Sequence, residues 1–359
     1  MKSSSGQHYL ALDHVRAVAA LMVFVWHFTH SHYGFPVPYE FTPSVFFLAL
    51  FDEGHTGVSL FMTLSGYLFA KLLDGRDVKY GQFFWNRFLR LVPLLVLVMI
   101  VFGAQKLNAD HSPSWPVAVL NYLHTMALGL IYPTWPSGGW SITIEAHFYL
   151  LLPLLLWLRR RQRLALLAIV ATAVIFRWVY FENHGEVRSL SYWTIFGRID
   201  QFVLGILAFE FRQIFQNRHR LAIVGFLAFT GFYWLFDRQG GYGDPSNSLR
   251  WLWVCLPTIE GLAYGWAIAY YETSFKPKPM GFSALWGRFG EYSYSIYLLH
   301  GFVVFWTARN IHLHVFPLSN FYVAMAMAVL CFLAMYPIGW LSYRYIESPF
   351  LRYRRSYLR

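Results

Sequence analysis

Charged residues are scarce in this chain, and their scarcity excludes an ordinary soluble protein. Only 13% of its 359 residues are Asp, Glu, Lys or Arg, about half the share typical of soluble domains. Hydrophobic residues make up 57% and aromatic residues 20%. The two cysteines, Cys255 and Cys331, both lie in apolar runs, which argues against a disulfide framework and a cysteine-based metal site. We therefore predict an integral membrane protein.

Ten apolar runs are long enough to cross a membrane as helices, which takes about 20 residues each. The first run carries Asp13, His14 and Arg16, so we interpret it as a retained span and not as a cleavable signal peptide. The sequence predicts an all-α membrane protein, a bundle of about ten transmembrane helices in which residues 1–359 form a single domain. The ten runs are 10–29, 56–73, 88–105, 141–158, 163–181, 196–213, 219–236, 251–271, 289–308 and 320–343.

The net charge of +11 is explained by where the basic residues lie. With a cytoplasmic N-terminus, 22 of the 29 Lys and Arg residues fall in cytoplasmic segments, which is the usual bias of membrane proteins. A crossing by the apolar run 115–131 would place the basic cluster at 159–163 outside. We therefore expect a non-crossing outer segment at 115–131 and two cytoplasmic termini. The charge indicates contact with anionic membrane lipids and not with nucleic acid.

Ionisable residues inside the first predicted span mark candidate functional positions, because such residues are costly in a membrane. Arg16 and His27 are eleven residues apart, so they differ by about 20° around a helix and by about 16 Å along its axis. Asp13 lies near the same face and could pair with Arg16. The first span thus has a polar stripe that ends at a deep imidazole. A histidine that merely bonds to a neighbour explains His27 equally well.

Ionisable residues of other predicted spans admit more than one interpretation. Glu145 lies near the outer end of its span, and Glu260 and His300 lie near mid-depth. No motif surrounds Glu260, so a hydrogen bond between helices explains it as well as a functional role does. Arg177 and Arg198 lie near outer ends, and for Arg177 we prefer a snorkelling anchor.

Six short motifs follow one another along the chain. Together they resemble the acyltransferase-3 family of membrane O-acyltransferases over nearly the whole sequence. The chain departs from the family at His14 and Ala17, which replace glycines, and at Ser59, where an acidic or amide residue is usual. The motifs are LDHVR at 12–16 with His27, GVSLFMTLSGY at 57–67, NRFLRLVP at 86–93, WSITIEAHFY at 140–149, YSIYLLH at 294–300 and RYIESPF at 344–350.

The resemblance implies transfer of an acyl group, usually acetyl, from acetyl-CoA or another acyl-CoA in the cytoplasm. The implied acceptor is a hydroxyl of an envelope or exported glycan, and no metal takes part. The family is chiefly bacterial and lies in the cytoplasmic (inner) membrane, which is the location we expect here. We also expect no extracytoplasmic hydrolase-like domain, because the chain ends soon after its last predicted span.

The resemblance also suggests roles for residues of this chain. Arg87 and Arg90 are expected to bind the CoA phosphates, since guanidinium groups match phosphate oxygens. Arg16 is expected to help place the donor. His27 is the expected general base, with a covalent acyl-histidine as the alternative. Glu145 is expected to orient the acceptor hydroxyl or to stabilise an imidazolium. Supporting roles are expected for Asp13, Ser65, Tyr149, Arg198 and His300, of which His300 is also the competing candidate for the base.

Two other functions remain open at this point. The first is a proton-coupled transporter or flippase of a glycan or lipid, in which buried histidines and carboxylates relay protons. Many transporters contain internal repeats, and this sequence has no visible repeat, which disfavours that function. The second is an assembly subunit that has lost catalysis, an interpretation that the retained Arg16 and His27 disfavour.

Overall fold

The computed structural model confirms an all-α membrane protein. It describes residues 9–32, 35–109, 115–129, 131–135, 138–243 and 249–358. Its helices are α1 Leu10–Thr29, α2 Ala49–Asp52, α3 Gly57–Leu72, α4 Tyr80–Ala109, α5 Trp115–Leu128, α6 Gly139–Arg161, α7 Arg163–His184, α8 Arg188–Trp193, α9 Ile195–Glu210, α10 Arg212–Phe215, α11 His219–Asp237, α12 Leu252–Ser274, α13 Gly281–Glu291, α14 Ser293–His314, α15 Phe321–Ser342 and α16 Ser348–Leu351.

Short non-α segments connect some of these helices. In the described part of the chain, the two named strands are β1 (His30–His32) and β2 (Phe35–Pro36), which pair in antiparallel fashion. Turns of 3₁₀-helix cover Phe46–Leu48 and Gly54–Thr56, and a π-helical turn covers Tyr343–Glu347. Side-chain caps mark two helix starts, because the Thr194 hydroxyl accepts from the first turn of α9 and the Asn320 amide oxygen accepts from that of α15.

Each run predicted to cross the membrane contains a helix, and seven helices among the described residues are long and apolar enough to do so. Helices α3 and α9 have 16 residues each and therefore rise only about 24 Å. Helix α14 has 22 residues but is not among the seven. The expected non-crossing segment contains α5, whose 14 residues span about 21 Å, less than the bilayer core of about 30 Å. The number of crossings stays a prediction.

Helices α3 and α9 pack closely against each other and are mostly buried. A Cβ atom at Gly66 would lie 2.0 Å from the Phe202 carbonyl oxygen, and one at Gly205 would lie 2.0 Å from the Thr63 carbonyl oxygen. Small residues allow helix backbones to approach in this way. The crossing therefore requires glycine at both positions. It also fixes the orientation of α3, the helix that carries Ser65, relative to α9.

Helix α1 is held in place by similar close approaches along its length. A Cβ at Gly290 would lie 1.8 Å from the Asp13 carbonyl oxygen, and one at Gly54 would lie 2.2 Å from the Met22 carbonyl oxygen. The segments that carry these glycines touch the α1 backbone directly, so no side chain fits at either position. The helix that carries Arg16 and His27 is thus fixed both near its start and near its end.

The chain after α16 returns to the beginning of α4. The buried Asn86 side chain donates to the Arg355 carbonyl oxygen at 2.7 Å and accepts from the Arg355 amide at 3.0 Å. The Lys79 amide also donates to the Tyr357 carbonyl oxygen at 2.8 Å. We call residues 352–358 the C-terminal tail. These bonds fix the tail against α4.

Candidate active site

A polar cleft of about 190 Å³ opens among α1, α3, α4, α6, α14 and the C-terminal tail. It gathers seven of the residues that sequence analysis selected, although they lie far apart in the chain. Arg354 and Tyr357 of the tail, which sequence analysis did not select, line it too. We call it the arginine cleft. The seven selected residues are Asp13, Arg16, Ser65, Arg87, Arg90, Glu145 and Tyr149.

The first turns of α1 supply an ion pair to this cleft. The Arg16 guanidinium donates to the Asp13 carboxylate one turn earlier, as the spacing predicted. The Asp13 side chain is buried, whereas 28% of the Arg16 side chain remains exposed. Arg16 therefore keeps part of its donor surface open to a ligand while Asp13 fixes its direction.

Glu145 lies in the same cleft and is oriented by two hydroxyl groups. Its carboxylate accepts a hydrogen bond from the Tyr149 hydroxyl, which lies one turn further along α6. The Ser65 hydroxyl of α3 donates to the same carboxylate at 3.3 Å. Sequence analysis expected supporting roles for Ser65 and Tyr149, and the structure brings both into contact with Glu145.

The two arginines of α4 have different surroundings. Arg90 forms an ion pair with the buried Glu347 and lies 5.3 Å from the centre of the Tyr294 ring. Arg87 lies over two aromatic rings, those of Phe69 at 5.2 Å and Phe83 at 5.6 Å. The Arg87 Nε atom is buried without a hydrogen-bond partner in the described part of the chain. Arg87 is thus the more available of the two for an anionic ligand.

His27 and His300 form a pair that lies just outside the set of cleft-lining residues. The His300 Nε2 atom is 3.2 Å from the His27 Nδ1 atom, and the ring centres are 4.8 Å apart. The pair adjoins the cleft through Tyr297, which lines its wall and whose carbonyl oxygen accepts from His300 Nδ1. The Tyr297 hydroxyl accepts in turn from the Ser141 hydroxyl at 2.9 Å.

Hydrogen bonding indicates which nitrogen of each ring carries the proton when the ring is neutral. His27 Nδ1 lies 2.8 Å from the Val23 carbonyl oxygen, which can only accept, so Nδ1 carries the proton. By the same argument His300 Nδ1 is protonated, because it faces the Tyr297 carbonyl oxygen. His300 Nε2 and the Val23 carbonyl oxygen therefore share the one His27 Nδ1–H group as acceptors, and His27 Nε2 keeps a lone pair. A ring with this arrangement can accept a proton at Nε2.

Arg198 lies away from the arginine cleft, in a second polar cluster. It donates to the Tyr192 carbonyl oxygen at 2.6 Å, to Ser59 Oγ at 3.0 Å and to Gln201 Oε1 at 3.0 Å. Ser59 and Gln201 in turn donate to Glu260. Arg198 therefore belongs to an internal network and not to the wall of the cleft.

Glu260 is the centre of that network. Its carboxylate accepts from Thr56 at 2.5 Å, Ser59 at 2.8 Å, Gln201 at 2.9 Å and Tyr233 at 2.6 Å. We call Glu260 with these four donors the Glu260 network. The hydrogen bond between helices that the sequence left open as an interpretation is confirmed.

The snorkelling interpretation of Arg177 is wrong. The side chain is fully buried and donates to the Asp200 carboxylate at 2.7 Å, to the Val254 carbonyl oxygen at 2.6 Å and to the Gly197 carbonyl oxygen at 2.8 Å. A buried guanidinium is tolerated when a carboxylate and carbonyl oxygens compensate it in this way. Arg177 joins α7 to α9 and α12 instead of reaching the membrane surface.

Comparison with known proteins identifies the class of this protein. The sequence profile of the acyltransferase-3 family, described as an acyltransferase domain, matches residues 9–344. The chain therefore belongs to this family of acyltransferases.

Three curated relatives indicate what related proteins do. The peptidoglycan O-acetyltransferase OatA of Listeria monocytogenes is 23% identical over 96% of this chain, which spans 56% of that protein's length. The exopolysaccharide production protein ExoZ of Rhizobium meliloti is 26% identical, over 85% of this chain and 92% of ExoZ. The nodulation protein 10 of Rhizobium leguminosarum is 28% identical over 84% of each chain. No solved structure matches.

Proposed function

We propose that this protein is a membrane O-acyltransferase that moves an acetyl group from acyl-CoA to a hydroxyl of an envelope or exported glycan. The observation that carries the proposal is the arginine cleft, in which cationic groups from α1 and α4 converge and whose wall reaches Tyr297, beside the histidine pair. The glycan acceptor is supported by relatives whose names refer to peptidoglycan and exopolysaccharide.

The donor is proposed to bind with its phosphates at the arginines of the cleft. Phosphate oxygens accept strong hydrogen bonds from guanidinium groups, and Arg87 has a buried Nε atom without a partner in the described part of the chain. The partly exposed Arg16 contributes a second cation. From these anchors the uncharged arm of CoA extends along the cleft towards Tyr297, which brings the thioester towards the histidine pair.

The chemistry proposed for His27 is general base catalysis. His27 Nε2 takes the proton of the acceptor hydroxyl while its oxygen attacks the thioester carbonyl carbon. The carbon–sulfur bond then breaks, and the leaving thiolate recovers the proton from His27. His300 keeps the His27 ring in place together with Val23, because its Nε2 lone pair and the Val23 carbonyl oxygen share the His27 Nδ1–H group. This assignment gives His300 a positioning role.

Glu145 is proposed to orient the bound substrates and not to stabilise an imidazolium. Its hydrogen bonds come from Tyr149 and Ser65, whereas in the described part of the chain the His27 ring contacts the Val23 carbonyl oxygen and His300 through Nδ1. A carboxylate held within the cleft can accept a hydrogen bond from a sugar hydroxyl.

The proposed orientation places the arginines of α4, the C-terminal tail and both chain ends in the cytoplasm of a bacterium, with the protein in the inner membrane. The bias of Lys and Arg supports it. Single cysteines at Thr134 and Arg161, in a chain lacking Cys255 and Cys331, would test it with an impermeant thiol reagent. We expect Thr134 to label from outside and Arg161 only after lysis. Labelling of both from one side contradicts the orientation.

The decisive experiment uses purified protein in lipid nanodiscs with acetyl-CoA labelled in the acetyl group. We expect release of free CoA and a labelled ester on added glycan, together with loss of a two-carbon ester from envelope glycans of cells that lack the gene. A protein that neither consumes acetyl-CoA nor changes these glycans contradicts the proposal. Proton-dependent movement of a glycan in liposomes would then favour a transporter.

A further inference from the structure

The C-terminal tail places an additional arginine in the cleft. Arg354 lines the cavity, whereas Arg352 and Arg355 on either side of it are exposed. It lies beyond residues 9–344, the part of the chain that matches the family profile. The position of Arg354 follows from the pair of hydrogen bonds between Asn86 and the Arg355 backbone. Asn86 directly precedes Arg87, so one short segment of α4 carries a donor-site arginine and also holds the tail.

Arg354 lies near two other arginines, and part of its hydrogen-bonding capacity is unused by the described part of the chain. Its Nε atom is buried without a hydrogen-bond partner, and no ion pair of Arg354 is present in the described part of the chain. Burial, followed by the positive charges of Arg90 and Arg87, lowers the pKa of Arg354 to about 9. Arg90 differs because Glu347 compensates its charge. Arg87 and Arg354 therefore form a cationic pair that an anion would stabilise.

We propose that Arg354 is a phosphate-binding residue of the donor site, which the contact between Asn86 and the tail positions beside Arg87. The inference rests on the proposed acyl-CoA donor. CoA carries a diphosphate and a 3′-phosphate, and such groups accept two hydrogen bonds from one guanidinium fork. The tail thus adds to the donor site a binding group that the motif at 86–93 does not contain.

The test compares Arg354→Ala with Arg355→Ala, a control that removes a neighbouring, exposed arginine while keeping the backbone bonds to Asn86. With acetyl-CoA, Arg354→Ala should raise KM about tenfold at unchanged kcat, which is the pattern of lost ground-state binding. The control should stay within about twofold. Arg354→Lys should recover part of the loss, since it restores the charge but not the fork.

Acetyl-pantetheine, a thioester without the nucleotide phosphates, separates phosphate binding from a structural role. All variants should use it with the same kcat/KM as the unaltered protein. An equal loss with both donors would overturn the proposal, because it would show that Arg354 supports the site and not the phosphate. An unchanged KM for acetyl-CoA in Arg354→Ala would overturn it as well.

Calorimetric titration of CoA distinguishes failure of this inference from failure of the proposed function. Weaker CoA binding in Arg354→Ala, in a protein that transfers no acetyl group, would support the binding site and contradict the reaction. Active protein whose CoA affinity is the same in Arg354→Ala and the control contradicts the inference alone. Absence of CoA binding by the unaltered protein contradicts both.

A second variant tests the positioning part of the proposal. Asn86→Ala removes both hydrogen bonds to Arg355 and should raise KM for acetyl-CoA about as much as Arg354→Ala does. The double variant should show no further increase, because both changes remove one interaction. Thermal unfolding of each variant checks that the fold persists. An additive effect on KM would contradict the role of Asn86 in placing Arg354.

Discussion

The Glu260 network and the arginine cleft lie in the same bundle, and α3 contributes different residues to each of them. In the network, the Glu260 carboxylate accepts from four buried side chains, none more than 2.9 Å away. In the cleft, Glu145 is held by two hydroxyl groups, while Arg87 and Arg354 each keep a buried Nε atom without a partner in the described part of the chain.

The difference between the two regions supports the roles proposed for them, a structural one for the Glu260 network and a ligand-binding one for the arginine cleft. Buried polar groups in a folded protein are normally satisfied, and each unsatisfied one needs an explanation. Apolar surroundings alone do not distinguish the two regions, because both contain ionisable groups among apolar helices. The two regions differ because the cleft contains buried donor atoms that no described residue satisfies. A bound ligand would supply the missing acceptors.

The largest effect is expected at His27. His27→Gln keeps the size and hydrogen bonding of the side chain but cannot take up a proton, so the acetyl-transfer rate should fall about 10²–10⁴-fold. Thermal stability should stay nearly unchanged. His300→Gln should have a smaller effect, because His300 positions the His27 ring.

If His27→Gln keeps near-normal turnover and His300→Gln does not, His300 is the general base and His27 is the positioning residue. Normal turnover in both variants contradicts base catalysis by histidine. A labelled enzyme intermediate that is acid-labile and absent from His27→Gln would instead indicate an acyl-histidine.

The second-largest effect is expected when glutamate is replaced by leucine in each of the two regions. Glu260→Leu leaves four buried donors without their acceptor, at about 1–3 kcal/mol for each donor that finds no other partner, so we expect a loss of stability of about 3 kcal/mol or more. Glu145→Leu leaves only two donors, both beside an open cleft, and should reduce turnover with little loss of stability. Thermal unfolding in detergent and acetyl transfer measure the two quantities. Equal destabilisation by both variants would remove the distinction between the regions.

The smallest expected effect is the change in KM for acetyl-CoA when either arginine of α4 is replaced. Arg87→Ala should raise KM for acetyl-CoA about tenfold, and Arg87→Lys should recover it in part. Arg90→Ala should change KM less, because Glu347 already compensates Arg90. It should instead lower stability, since the buried Glu347 loses its cationic partner. The exposed Arg220 offers a matched control for loss of one positive charge. A larger KM change in Arg90→Ala than in Arg87→Ala would reverse the assignment.

Sequence reasoning predicted the helical class and selected five of the ionisable side chains that line the cleft, because motifs in distant segments identified residues such as Arg16, Arg87 and Glu145. It missed Arg354, since nothing in the local sequence shows that the tail returns to Asn86. It misjudged Arg177, because the compensating Asp200 lies on another helix and carbonyl partners leave no trace in sequence. Both failures concern tertiary contacts. Helices α3, α9 and α14 are not among the seven long, apolar helices of the described residues, so their crossing of the membrane stays a prediction.

The shortness of α3 and α9 has a consequence for how far the substrates travel. Helices surrounded by protein are released from hydrophobic mismatch, the requirement that a lipid-facing span match the bilayer thickness. At their crossing, these two 16-residue helices rise only about 24 Å, against about 30 Å for the apolar core of a typical bilayer. In the proposed reaction, the acyl-CoA donor from one side and the glycan hydroxyl from the other would meet beside two helices that are shorter than the bilayer core is thick.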